Sequence, residues 1–144
     1  MRIHLAQHGK AKSEEEDPEK PLTEEGKKET EKVAKALKGK AKISRIYCSK
    51  KLRARQTAEI YAKAFGAKSE PIDGLAPLDP IDSALEMLED GVMFVGHLPH
   101  LSKLASKLIV HDETDDVIKF SYSGVLCLVR EEKNNWLVVW YEVP

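Results

Sequence analysis

Val92-Met93-Phe94-Val95 stands between Gly91 and Gly96 without one polar side chain. A strand with one wet face alternates apolar and polar residues. This one has nothing to offer water, so it belongs inside a parallel sheet covered by helices on both faces. Parallel neighbours need crossover connections, and the chain supplies helical ones. Residues 3–6 form a short apolar strand that stops at Gln7-His8-Gly9. Thr23 offers an N-cap with Glu24 and Glu25 in the first turn. Val33, Ala34, Ala36 and Leu37 make that helix's narrow apolar stripe, and Gly39 is its stop. Residues 43–49 are β-rich. Ala54, Ala58, Tyr61, Ala62 and Phe65 repeat at helical spacing over 52–65, ahead of Gly66.

Pro71, Pro77 and Pro80 make residues 69–82 a loop or a short extended piece. A short helix over 83–89 and a longer one over 101–110 flank the apolar strand. Two β-rich runs, 125–130 and 136–143, surround Lys133-Asn134-Asn135 and read as a hairpin, with Trp136, Trp140 and Tyr141 in its core. The expected fold is α/β: a three-layer sandwich around a mostly parallel sheet, closed by a C-terminal hairpin, in a single domain over 1–144.

Composition narrows the function classes. The 23 basic and 24 acidic residues leave a net charge of -1. That balance argues against a nucleic-acid or anionic-membrane partner, while leaving room for a local basic pocket. No apolar run approaches the roughly 20 residues that span a bilayer. The N-terminal residues hold no stretch like a signal peptide, so a cytoplasmic protein is expected. Cys48 and Cys127 lie far apart and outside any metal-ligand spacing, which predicts two buried free thiols rather than a disulfide. Neither a metal nor a cofactor is expected. Lys and Glu dominate the charged residues and Asn and Gln are scarce, a lean toward a heat-adapted source.

Polar clusters fall at three expected strand ends: Gln7-His8-Gly9, Ser49 with Leu52-Arg53-Ala54-Arg55-Gln56-Thr57, and Gly96-His97-Leu98-Pro99. In such sheets functional groups gather at the carboxyl ends of strands, beside helix N-termini that favour anions. Two histidines and an arginine therefore have reason to converge. The same residues carry a resemblance to the histidine phosphatase superfamily, and within it to the small SixA-type phosphohistidine phosphatases. That family opens with Arg-His-Gly, matched by Gln7-His8-Gly9, and continues with Pro-Leu-Thr-x-x-Gly, matched by Pro21-Leu22-Thr23 and Gly26. Its Ser-x-x-Leu-Arg-Ala-x-Gln-Thr motif matches Ser49, Leu52, Arg53, Ala54, Gln56 and Thr57. Its second histidine matches His97, within Gly96-His97-Leu98-Pro99.

The resemblance implies that His8 is a nucleophile that becomes transiently phosphorylated, with Arg53 and His97 holding phosphoryl oxygens and Gln7 and Gly9 beside them. Arg55, two positions after Arg53, points to another face of the helix. Gln7 stands where the family has an arginine, so one charge is missing. Removing a preorganised donor to a developing anion costs on the order of 10²–10³-fold in rate. His100, Lys10, Lys50 and Lys51 are candidates to compensate. A general acid is not evident either. Leu98 follows His97, and Glu70, Asp79 and Asp82 are the loop carboxylates at hand. Phosphohistidine tolerates this, because its imidazole leaving group protonates near neutral pH. The expected activity is hydrolysis of protein-bound phosphohistidine. The alternatives are a pseudophosphatase that binds a phosphorylated partner without efficient turnover, and a small-molecule phosphomonoesterase.

Overall fold

The computed structural model describes all 144 residues. The elements run β1 (Arg2–Gln7), α1 (Glu24–Leu37), β2 (Arg45–Cys48), α2 (Leu52–Phe65), β3 (Lys68–Pro71), α3 (Asp82–Glu86), β4 (Val92–Gly96), α4 (His100–Val110), β5 (Val125–Glu132) and β6 (Asn135–Glu142). One six-stranded sheet holds every strand in the order β3-β2-β4-β1-β5-β6. The first four in that order are mutually parallel, and β5 and β6 complete it as an antiparallel hairpin. The apolar run is β4, central and buried at every position, as its composition requires.

Alternation along the strands sends side chains to two cores. Ile3, Leu5, Phe94, Leu126 and Leu128 meet α3 and α4 on one face. Ala6, Ile46, Met93, Val95 and Val125 meet α1 and α2 on the other. Fully burying a side chain of this size contributes roughly 1.5–3 kcal/mol. Thr23 caps α1, its Oγ1 accepting from the Gly26 N–H at 2.9 Å. Gly66 ends α2 in the left-handed conformation at φ 64°.

Of the two readings of the proline-rich 69–82 segment, its start takes the extended one: Lys68–Pro71 pairs in parallel with β2 at the sheet's edge. Two details differ from the sequence expectations. The short helix stops at Glu86, where the Met87 N–H turns back to the Ala84 carbonyl. In the hairpin Trp136 is buried, whereas Trp140 and Tyr141 are half-buried. Trp140 lies against the His4 ring and under the Lys40 ammonium. Cys48 and Cys127 are free and buried, as expected. No helix is long and apolar enough to cross a membrane.

Candidate active site

The strand order makes β2, β4 and β1 neighbours, all running the same way, so their carboxyl ends share one edge of the sheet. Ser49, His97 and His8 follow directly. Backbone bonds fix these exits: His8 N–H donates to the Gly96 carbonyl at 3.0 Å and Ser49 N–H to the Val95 carbonyl at 3.1 Å. The His8 and His97 rings come within 5.0 Å, centroid to centroid.

His8 Nδ1 donates to the Gly9 carbonyl at 2.7 Å. A carbonyl only accepts, so in the neutral ring the proton sits on Nδ1 and Nε2 keeps its lone pair. Burial lowers the His8 pKa to about 4, against the raising effect of the Gly9 carbonyl, and the charges of Arg53 and Lys20 lower it further. His97 Nε2 shares a 2.7 Å hydrogen bond with Ser49 Oγ, and its Nδ1 is buried without a partner. Its pKa falls to about 3, through burial first and then through His8, Arg53, Lys51 and His100. At neutral pH both rings are uncharged. The charges bearing on them are cations.

Arg53 is half-buried in the first turn of α2, without a carboxylate within 4 Å. The surrounding motif residues lock it to the loop after β1. Thr57 Oγ1 donates to the Arg53 carbonyl at 2.8 Å and accepts the Gly9 N–H at 2.9 Å. Gln56 Oε1 accepts the Leu22 N–H at 2.7 Å, and the Thr23 N–H donates to the Lys10 carbonyl at 2.9 Å. Gly9 has no room for a Cβ, which would lie 2.9 Å from Thr30 Oγ1 and 3.0 Å from Ser123 Oγ. Those two hydroxyls bond to each other at 2.7 Å, and Tyr61 Oη donates to the Ser123 carbonyl at 2.6 Å.

The remaining sequence candidates are spread more widely. Gln7 is buried, and its Oε1 has no partner. Lys10 is exposed and paired with Glu25 at 2.9 Å; Lys50 is paired with Asp73 at 2.9 Å. Lys51 is exposed and has no such partner, yet its charge reaches His97. His100 is fully buried at the start of α4, its ring nitrogens without well-aligned partners and its pKa lowered by burial despite the nearby Pro80 and Gly74 carbonyls. Asp79 Oδ2 accepts the Ala76 N–H at 3.0 Å. Glu70 and Asp82 are exposed.

Two neighbours escaped the sequence reading. Lys20 bears on His8 because an isolated bridge between Ala11 and Leu22 folds its loop back toward the site. Tyr122, half-exposed, sets its ring 5.6 Å from that of His8. It comes there because β5 runs antiparallel to β1, with Val125 opposite Ala6, so the turn before β5 arrives where β1 ends. Together these groups set an unprotonated imidazole nitrogen near a guanidinium and the positive end of α2, an arrangement with the charge to accept an anion.

Residues 3–80 match the family model for the Histidine phosphatase superfamily (branch 1). An uncharacterised protein of Picosynechococcus sp. is 32% identical over a 140-residue alignment that covers 89% of this chain and 84% of that protein. Among solved structures, the protein histidine phosphatase SixA complexed with tungstate has a TM-score of 0.83 at 26% identity, covering 99% of this chain and 97% of that one. A candidate phosphohistidine phosphatase SixA from Agrobacterium tumefaciens gives 0.80 at 25% identity, with 99% and 97% covered. A phosphoserine phosphatase from Entamoeba histolytica shares the fold alone, with a TM-score of 0.78 at 15% identity over 99% and 97% of the two chains.

Proposed function

The chain belongs to branch 1 of the histidine phosphatase superfamily, and from that membership we propose that it hydrolyses protein-bound phosphohistidine through a phosphorylated His8. One observation carries the reading: His8 is tied through Nδ1 to the Gly9 carbonyl, which leaves Nε2 an unprotonated nucleophile at neutral pH. Nε2 attacks phosphorus as the P–N bond to the substrate imidazole breaks. The bonding pair goes to that nitrogen, which takes a proton from water. A second water then attacks phosphorus, His8 regains its lone pair, and phosphate leaves. Arg53 suits the equatorial oxygens through its bidentate fork. A bound phosphoryl dianion raises the pKa of His97, so that this ring becomes a charged donor as negative charge builds.

The weak spot is Gln7, where the SixA-type resemblance leads one to expect arginine. Lys20 and Lys51 are cations whose charge reaches the histidines and which lack carboxylate partners. They supply part of the missing charge. The uncharged Gln7 amide, with its unpartnered oxygen, favours one second reading: a module that binds a phosphorylated partner without efficient turnover. A phosphomonoesterase acting on small alkyl phosphates is less well supported, because an alkoxide leaving group needs an acid and cations dominate around the histidines.

The test is dephosphorylation of a histidine-phosphorylated protein by wild type, His8→Ala and Gln7→Arg. Turnover by wild type, none by His8→Ala and a gain in Gln7→Arg are expected. A silent wild type that retains the phosphoprotein, beside an active Gln7→Arg, establishes the binding module instead. Faster turnover of an alkyl phosphate than of phosphohistidine establishes the phosphomonoesterase.

A further inference from the structure

We propose that the cationic groove leading away from Arg53 docks an acidic stretch of the phosphorylated protein, next to its phosphohistidine; this rests on the phosphatase reading. The groove has a volume of about 460 Å³, and Lys20, Lys50, Lys51, Arg53 and Arg55 line it. Only Glu14 and Glu19 oppose them there. In a chain of net charge -1, five cations around one depression form a local field that the whole molecule lacks.

Two features make that field a place for a ligand rather than a solvated face. Lys50 has Asp73 as a partner, whereas the other four cations have no carboxylate within 4 Å. They also crowd the N-terminus of a 14-residue helix, α2, which has no side-chain cap and no acidic residue in its first turn. Carboxylates are favoured at such an end and cations opposed, as α1 illustrates with Glu24 and Glu25. An incoming anion relieves both the like-charge repulsion and the bare helix end.

The phosphoryl group alone does not fill this role. Arg55 is two positions beyond Arg53, a rotation that sends its side chain to a different face. The groove therefore offers charge for a second anionic group outside the reacting centre. Its occupant fits a polypeptide better than a nucleotide. Leu52 and Pro18 are the apolar residues in the lining, and no aromatic wall is present to hold a base. Lys50, Lys51 and Arg55 are exposed, so a protein surface reaches them without entering a cavity.

The experiment compares two phosphohistidine peptides, one flanked by glutamates and one by glutamines, with wild type, Arg55→Glu and Glu19→Gln. Wild type is expected to favour the acidic peptide by about 10-fold in kcat/KM, through KM, as several rim charge pairs acting together allow. Arg55→Glu removes most of that preference and leaves the glutamine peptide unaffected; Glu19→Gln enlarges it. Raising NaCl from about 50 to about 300 mM shrinks it by screening. Equal turnover of the two peptides by wild type overturns the groove while the phosphatase stands. If neither peptide turns over, the phosphatase reading fails by itself, and anisotropy with the unphosphorylated acidic peptide decides the groove. Binding that Arg55→Glu weakens supports docking; no binding overturns it. Competition by inorganic tripolyphosphate without any effect of flanking glutamates also overturns it, in favour of a small polyanion.

Discussion

His8 keeps its ring uncharged well below pH 6.5 because it is buried, and burial is removable. The half-exposed Tyr122 ring lies 5.6 Å from that of His8. Tyr122→Ala lets water reach the imidazole, so its protonated form is less disfavoured and the midpoint rises from about 4 toward the ordinary 6.5. Histidine C–H resonances followed by NMR over pH 3–8 read this directly, and an unmoved midpoint contradicts the desolvation account. Tungstate added to wild type raises the midpoints of His8 and His97 as well, because an oxyanion favours both charged rings. At this scale the sequence exposed His8, Arg53 and His97, since each sits where a strand pattern breaks into polar residues. The Ser49–His97 bond, Lys20 and Tyr122 were illegible for a different reason. Each depends on which strand ends become neighbours, and a single strand's pattern does not carry that.

Glycines and hydroxyls set how closely the elements approach one another at the site. A Cβ at Gly26 would collide with the Lys10 carbonyl, in the loop that leaves His8. Gly26→Ala is therefore expected to cost about 1–3 kcal/mol, the range for overpacking, and to lower turnover with it, because relief requires the loop to move. Denaturant unfolding with a parallel phosphatase assay checks both; full activity at unchanged stability sinks the claim. Helices α1 and α2 were legible from apolar spacing joined to the Thr23 cap of one and the Gly66 stop of the other, and β4 from its unbroken apolar run. Strand β3 was legible only as a short extended piece. Its four residues are mostly exposed and end in Pro71, and only pairing with β2 makes them a strand. The early end of α3 likewise follows from a tight local turn that apolar spacing does not encode.

Across the whole molecule, four of the five histidines, His4, His8, His97 and His100, have pKa values lowered by burial. The unfolded chain binds protons to these rings near 6.5, before the folded one does. Stability is therefore full above about pH 6.5 and declines as pH falls toward the folded values, about 4 for His8 and about 3 for His97. His8 alone is expected to forfeit on the order of 2 kcal/mol by pH 4.5. Urea midpoints at pH 7.5 and 4.5 test this, and equal midpoints contradict it. The layered architecture was legible at this scale from β4 together with the helices alternating with the strands and the closing hairpin; the strand order that gathers Ser49, His97 and His8 was not. The central claim is that phosphate passes through His8. The most direct measurement mixes stoichiometric enzyme with a ³²P-phosphohistidine protein, quenches within milliseconds in alkali, and maps the label on the enzyme. Alkali-stable, acid-labile phosphate on His8, absent in His8→Ala, is the predicted result; phosphate released with no label ever found on His8 contradicts it.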